Sequence, residues 1–149
     1  LGSIDDLEPF LLTVAATVKV AGTKFSGHVP ALRCPKCKEV YLDGPALVRF
    51  ELEVAWELAR LGTRSGEAVR FMRKAIGLTA RALAALLGVA PETVSRWETG
   101  QRTVDTPTFA VLGRLVGDKI VGSRETTDLL EAQLAPSKEK HVRLVLKPA

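Results

Sequence analysis

Cys34 and Cys37 are the two cysteines of the chain, set as Cys34-Pro35-Lys36-Cys37. Two thiolates at this spacing on a tight turn can ligate a metal ion, and between short strands they look like one knuckle of a zinc ribbon. Structural zinc takes four nitrogen or sulfur ligands in tetrahedral array, so two thiolates supply half a site. His28 is the candidate third ligand, and His141 is remote in sequence. Zinc is therefore a candidate cofactor on an incomplete site of Cys34, Cys37 and His28. Three readings stay open: the other thiolates lie on a segment preceding Leu1, since the chain opens Leu1-Gly2-Ser3 without methionine; the site is degenerate and strand pairing holds the turn; or two chains share one ion. A redox role is disfavoured because no βαβ pattern surrounds the motif. No nucleophile is paired with a base either, so the chain is not expected to be an enzyme.

The second chemistry is carried by arginines. Residues 64–104 hold seven basic side chains (Arg64, Arg70, Arg73, Lys74, Arg81, Arg96, Arg102) against three acidic ones (Glu67, Glu92, Glu98). Residues 1–63 hold seven basic and eight acidic side chains and are near neutral. A local excess of guanidinium groups suits phosphate and base-edge recognition. The formal net charge of +4 permits a nucleic-acid partner.

Those arginines need helices to present them. Beyond the linker Thr63-Arg64-Ser65-Gly66, the pattern predicts a helix over 67–76 stopped by Gly77. A second is capped by Thr79 and ended by Gly88. A third starts at Pro91 and ends at Gly100. A fourth follows Thr106-Pro107 to about Val116, and a short helix is expected at 126–135. Leu83, Ala84 and Leu87 on the second helix must pack against Val94 and Trp97 on the third, with Val89 filling the angle and Gly88 taking the left-handed turn conformation.

Before the linker the pattern differs. Val14, Val18 and Val20 alternate with polar residues as in a half-buried strand. Ala21-Gly22-Thr23 reads as a turn. Short strands are expected at 25–29, at 31–33 and over 38–42. Asp43 and Pro45 open an amphipathic helix with Leu47, Phe50, Val54, Leu58 and Leu61 on one face, closed by Gly62. The tail 141–146 alternates weakly and is left as a strand or an arm.

The stretch from Ile76 to Gly100 resembles the helix-turn-helix of the lambda repressor and Cro superfamily, the XRE family. The resemblance is carried by Gly77-Leu78-Thr79, Leu83-Ala84, Leu87-Gly88-Val89 and the run Val94 to Gly100. It implies that the third helix lies in the major groove of double-stranded DNA. Glu92, Thr93, Ser95 and Arg96 would face the bases, with Arg96 bidentate to guanine. Gln101 and Arg102 would reach phosphates, as would Thr79 at the start of the second helix. The family carries a glutamine where this chain has Ala80, and Arg81 is the expected replacement for that contact. The resemblance also implies a structural ion pair between Arg73 and Glu98.

The order of Val29-Pro30-Ala31, Cys34-Pro35-x-Cys37, an amphipathic helix and an XRE-type helix-turn-helix resembles the MqsA-type antitoxins. The implied fold is mainly α with a small β N-terminal part. A zinc-ribbon-like β domain (1–43) and a linking helix (44–65) precede a lambda-repressor-like helix-turn-helix domain (66–120) and a C-terminal helix and tail (121–149). The implied function is an antitoxin and autorepressor that grips a toxin with its N-terminal half. The alternative is a stand-alone regulator whose N-terminal half senses a ligand or metal. Either would act as a homodimer on a palindromic operator, because one recognition helix covers few base pairs. Phe109, Val111, Leu112, Leu115 and Val116 exceed one apolar face and are the expected dimer surface. No stretch reaches the 20 or so apolar residues of a membrane span, and a cytoplasmic location is expected.

Overall fold

The computed structural model describes residues 8–149, with side chains from residue 12 onward. The first seven residues of the expected 1–43 domain thus lie outside the described residues. Strand β1 (Glu8–Val20) turns back into β2 (Thr23–Arg33), and β3 (Val40–Leu42) completes an antiparallel sheet of order β1-β2-β3. Six helices follow: α1 (Gly44–Leu61), α2 (Gly66–Ala75), α3 (Ala80–Leu87), α4 (Pro91–Glu98), α5 (Thr106–Val121) and α6 (Glu125–Leu134).

The β1–β2 turn is made by Ala21 and Gly22, at φ 50° and φ 80°. Two consecutive positive φ values match the right-handed twist of a tight hairpin. The pairing Val18↔Phe25 and Val20↔Thr23 puts the apolar tip of the hairpin on one face, and Val20 is buried in the main core with Val18 and Phe25 against it.

The two short strands expected at 25–29 and 31–33 are one continuous strand. Pro30 does not interrupt it because its missing N–H falls where β3 ends: the Asp43 N–H donates to the Pro30 carbonyl at 3.3 Å, and no further donor is needed on that side. The expected strand over 38–42 shortens to Val40–Leu42, since Lys38 sits at φ 63° and closes the preceding turn.

The core is one cluster running from the hairpin tip through every helix up to α5. It joins Val20 to Leu52, Val54, Ala55 and Leu58 of α1, Met72 of α2, Leu83 of α3, Val94 and Trp97 of α4, and Phe109, Leu112 and Val116 of α5. Helix α1, expected as a linker, is thus part of the helical core. Leu58 is completely buried, whereas Leu61, expected on the same face, is exposed.

Two of these results correct expectations. Phe109, Leu112, Leu115 and Val116 are buried within the chain and Val111 is half-buried, so the apolar surplus of α5 is covered by α1, α2 and α6 of the same chain, not offered to a second copy. The close approach uses glycines. A Cβ on Gly113 would lie 2.9 Å from the Ala59 Cβ, and one on Gly117 would lie 3.0 Å from Trp56. The same packing explains why α5 continues past Val116 to Val121, where Gly122 caps it in the left-handed conformation. The tail beyond α6 carries neither helix nor strand and exposes Val142, Leu144, Val145 and Leu146.

Asp118 ties α5 to α6. Its side chain is buried, accepts the Thr126 N–H at 2.8 Å and pairs with Arg114 at 2.7 Å. The hydrogen bonds from Thr126, and then the Arg114 charge, hold its carboxyl below the usual 3.8. A lowered folded pKa stabilises above the unfolded value and is lost as pH falls through the folded one. Acid unfolding below about pH 4 should therefore be less steep in Asp118→Asn than in the parent chain, read as Tm against pH. Parallel curves would show that Asp118 does not drive it.

Candidate nucleic-acid interface

Helix α2 is fixed at its start by Ser65, whose hydroxyl accepts the Ala68 N–H at 3.2 Å. There the chain passes directly under the end of α4. A Cβ on Gly66 would come within 2.5 Å of the Trp97 carbonyl oxygen, so only glycine fits. At the other end of α2 the buried guanidinium of Arg73 bridges two elements. Its Nη1 donates to the Leu78 carbonyl at 2.9 Å, its Nε bonds Glu98, and its Nη2 donates to Glu98 Oε2 at 3.3 Å. Both side chains of this ion pair are 11% exposed. The pair sets the end of α4 against α2 and leaves neither charge free for DNA.

Helices α3 and α4 meet across Gly88-Val89-Ala90. Thr79 caps α3 by accepting the Ala82 N–H at 3.0 Å. Gly88 adopts φ 68° and ψ 29°, which sends the chain sharply into α4. The Val89 N–H closes the α3 end on the Ala84 carbonyl at 3.0 Å. Leu83, Ala84 and Val94 are completely buried and Trp97 is nearly so. These four residues, on facing sides of α3 and α4, fix the angle between the helices.

That packing decides what α4 presents outward. Glu92, Ser95 and Arg96 are exposed at helical spacings of three and four, so they lie on one face. Thr93 is half-buried at its margin. After α4 the chain folds back: the Arg102 N–H donates to the Arg96 carbonyl at 3.1 Å, and the Thr99 hydroxyl donates to the Ser95 carbonyl at 3.0 Å. Gln101 and Arg102 are therefore held beside the exposed end of α4, both open to solvent. Thr79 and Arg81 are exposed at the start of α3. The eight residues expected at a DNA surface thus fall on three neighbouring segments: the α3 start, the α4 outer face and the following turn.

Two residues that hold this frame escaped sequence reasoning. Arg64, counted only as a charge in the linker, donates to the Thr106 hydroxyl at 3.0 Å and reaches the Val104 carbonyl at 3.4 Å. It spans 42 positions, which no local pattern reveals. Asp105 caps α5 by accepting the Thr108 N–H at 3.0 Å. The Thr108 hydroxyl and N–H hold its carboxyl below the usual range. Asp105-Thr106-Pro107 was readable as a helix start.

The cysteine turn is built differently from the expectation. The Cys34 N–H donates to the Glu39 carbonyl and the Lys38 N–H to the Cys34 carbonyl, both at 2.9 Å. Cys34 is buried and Cys37 exposed. His28 sits opposite Ala15 on β2, six residues before Cys34, which lies one residue past the end of that strand. That is about 20 Å of extended chain, and His28 lies on the exposed face while Val29 and Ala31 lie on the buried one. His28 is therefore not a third ligand to these thiols. Among the described residues no three His, Cys, Asp or Glu side chains gather to hold a metal ion. The donors on the described part of the chain do not fit a tetrahedral zinc site.

No helix of the described residues is long and apolar enough to cross a membrane. No curated protein matches the chain. A family model described as Helix-turn-helix matches residues 69–115, from within α2 to within α5. The chain therefore carries an XRE-type helix-turn-helix unit of the DNA-binding, transcription-regulating kind.

Proposed function

We propose that this protein is a sequence-specific repressor of its own gene and the antitoxin of a toxin–antitoxin pair, acting as a cytoplasmic, non-enzymatic dimer. The observation that carries the DNA reading is the exposed α4 face of Glu92, Ser95 and Arg96, backed by buried Val94 and Trp97, inside the matched helix-turn-helix. Arg96 reads guanine through its two-pronged guanidinium. Glu92 accepts from cytosine or favours the helix N-terminus, and Thr93 touches a thymine methyl. Thr79, Arg81, Gln101 and Arg102 contact phosphates and set register.

The antitoxin reading rests on the likeness of Val29-Pro30-Ala31 and Cys34-Pro35-x-Cys37 to MqsA-type antitoxins. It gains support from the way the hairpin tip is built into the helical core. The outer face of the hairpin, with Thr13, Thr17, Lys19, Lys24, Ser26 and His28 exposed, is the toxin-facing surface.

Fluorescence anisotropy on DNA from upstream of the gene, across a salt series, tests the first part. Arg96→Ala should lose about 1–3 kcal/mol on the specific site and little on unrelated DNA. Equal loss on both would make Arg96 a phosphate contact and not a base reader, and no loss would make it a bystander. Co-purification of a small protein encoded beside this gene, abolished by substitutions on the hairpin's outer face, tests the second. Binding of a small molecule or metal to the same half would instead favour the stand-alone sensor.

A further inference from the structure

Of the twelve large apolar side chains left exposed among the described residues, seven fall in two segments and the other five are scattered over α1, α5 and α6. Val40, Tyr41 and Leu42 make up β3, and Val142, Leu144, Val145 and Leu146 lie in the tail. Strand β3 pairs with β2 on one side, and among the described residues no strand pairs with its other side. The Glu39 carbonyl and the Asp43 N–H point to β2, as the bonds from Cys34 and to Pro30 show. Backbone groups alternate along an antiparallel strand, so those of Val40 and Leu42 point to the open edge. A bare apolar edge of this kind is a template for another strand.

We propose that residues 143–147 of a second copy add to β3 as an antiparallel fourth strand, reciprocally, and that this exchange holds the dimer. One register satisfies both segments. It sets Arg143 opposite Asp43, Leu144 opposite Leu42, Val145 opposite Tyr41, Leu146 opposite Val40 and Lys147 opposite Glu39. Three apolar pairs are flanked by an ion pair at each end, and cross-strand pairs of both kinds stabilise a sheet.

The faces agree as well. Leu42 and Val40 lie opposite Ala31 and Arg33, so Leu144 and Leu146 extend the inner face where Ala31 is buried. Asp43 is available for Arg143 because its carboxylate makes no cap hydrogen bond to α1. Pro148 follows the last pair, and without an N–H it ends the ladder.

The occupant is a second copy for two reasons. Within one chain both segments stand uncovered: Leu42 is 44% exposed and Leu146 is 86% exposed. The apolar residues of α5 are already buried within the chain, so a dimer needs another surface. A reciprocal exchange is the closed two-fold contact that a palindrome reader uses. The inference rests on the dimeric reading proposed above.

The test uses the full chain with Cys37→Ser, carrying Tyr41→Cys in one preparation and Val145→Cys in another. Directly opposed residues on adjacent strands come within disulfide reach. Mixing the two preparations under mild oxidation should give a covalent dimer far in excess of either alone. Light scattering at micromolar concentration should show a parental dimer and a monomer once residues 138–149 are removed. Asp43→Lys should weaken the dimer by about tenfold, as two reversed ion pairs per dimer would, and adding Arg143→Asp should restore it. An intrachain cross-link in a third preparation carrying both Tyr41→Cys and Val145→Cys, with none between the mixed single variants, overturns the exchange. A tail-less chain that stays dimeric overturns it too, yet leaves the dimeric reader standing. A parent that is monomeric while binding its palindrome removes both.

Discussion

Replacing Arg73 by methionine is expected to destabilise the protein by about 3–5 kcal/mol, the range seen when one partner of a buried ion pair is removed. The cost arises in what is left behind. Glu98 keeps its carboxylate at 11% exposure with no countercharge, and the Leu78 carbonyl loses the 2.9 Å donor that holds the turn before α3. Arg73→Met/Glu98→Leu removes both charges together and should recover most of the loss, because an apolar pair of similar volume packs where the ions sat. Urea unfolding of the two single variants and the double variant measures this directly. A single-variant loss under about 1 kcal/mol, the worth of a surface pair, would show that solvent reaches the site and that other contacts set α4 against α2. Specific DNA affinity should fall with the single variants even where they stay folded, since the pair seats α4, the proposed reading helix, against α2.

Leu58→Ala is expected to cost about 2–5 kcal/mol, the range for truncating a fully buried leucine. Leu58 has no exposed surface and belongs to the cluster that holds Met72, Leu83, Val94 and Val116. The substitution is therefore felt at the helix-turn-helix although α1 lies outside the matched segment 69–115. Thermal unfolding should remain one transition with a lower midpoint. Two separate transitions, with the later one unmoved, would mean that α1 is only a linker and that the helix-turn-helix folds without it.

Much of the reading unit was legible because its signals are local. Thr79, Gly88 and Pro91 mark helix boundaries through hydrogen bonds and backbone angles made within one or two turns. The apolar residues that join α3 to α4 are separated by fewer than 15 positions, so spacing alone brings Leu83 toward Val94 and Trp97. Exposure of Arg96 follows from the same spacing, because it falls on the face opposite the buried pair.

What escaped depends on partners distant in the chain. The apolar excess of Phe109, Leu112, Leu115 and Val116 was visible, but not what covers it. A second copy and the chain's own helices satisfy the same pattern, and only the packed structure shows the chain's own helices in place, with α1 admitted by Gly113 and Gly117. His28 seemed near Cys34 because six residues are few, yet in a continuous strand six residues are about 20 Å. Sequence by itself determined the helix-turn-helix and the face of α4 that stays exposed, since caps, turns and periodicity are short-range. Tertiary structure decided which apolar faces the chain buries within itself and which it leaves bare, because burial is settled by whichever surface arrives.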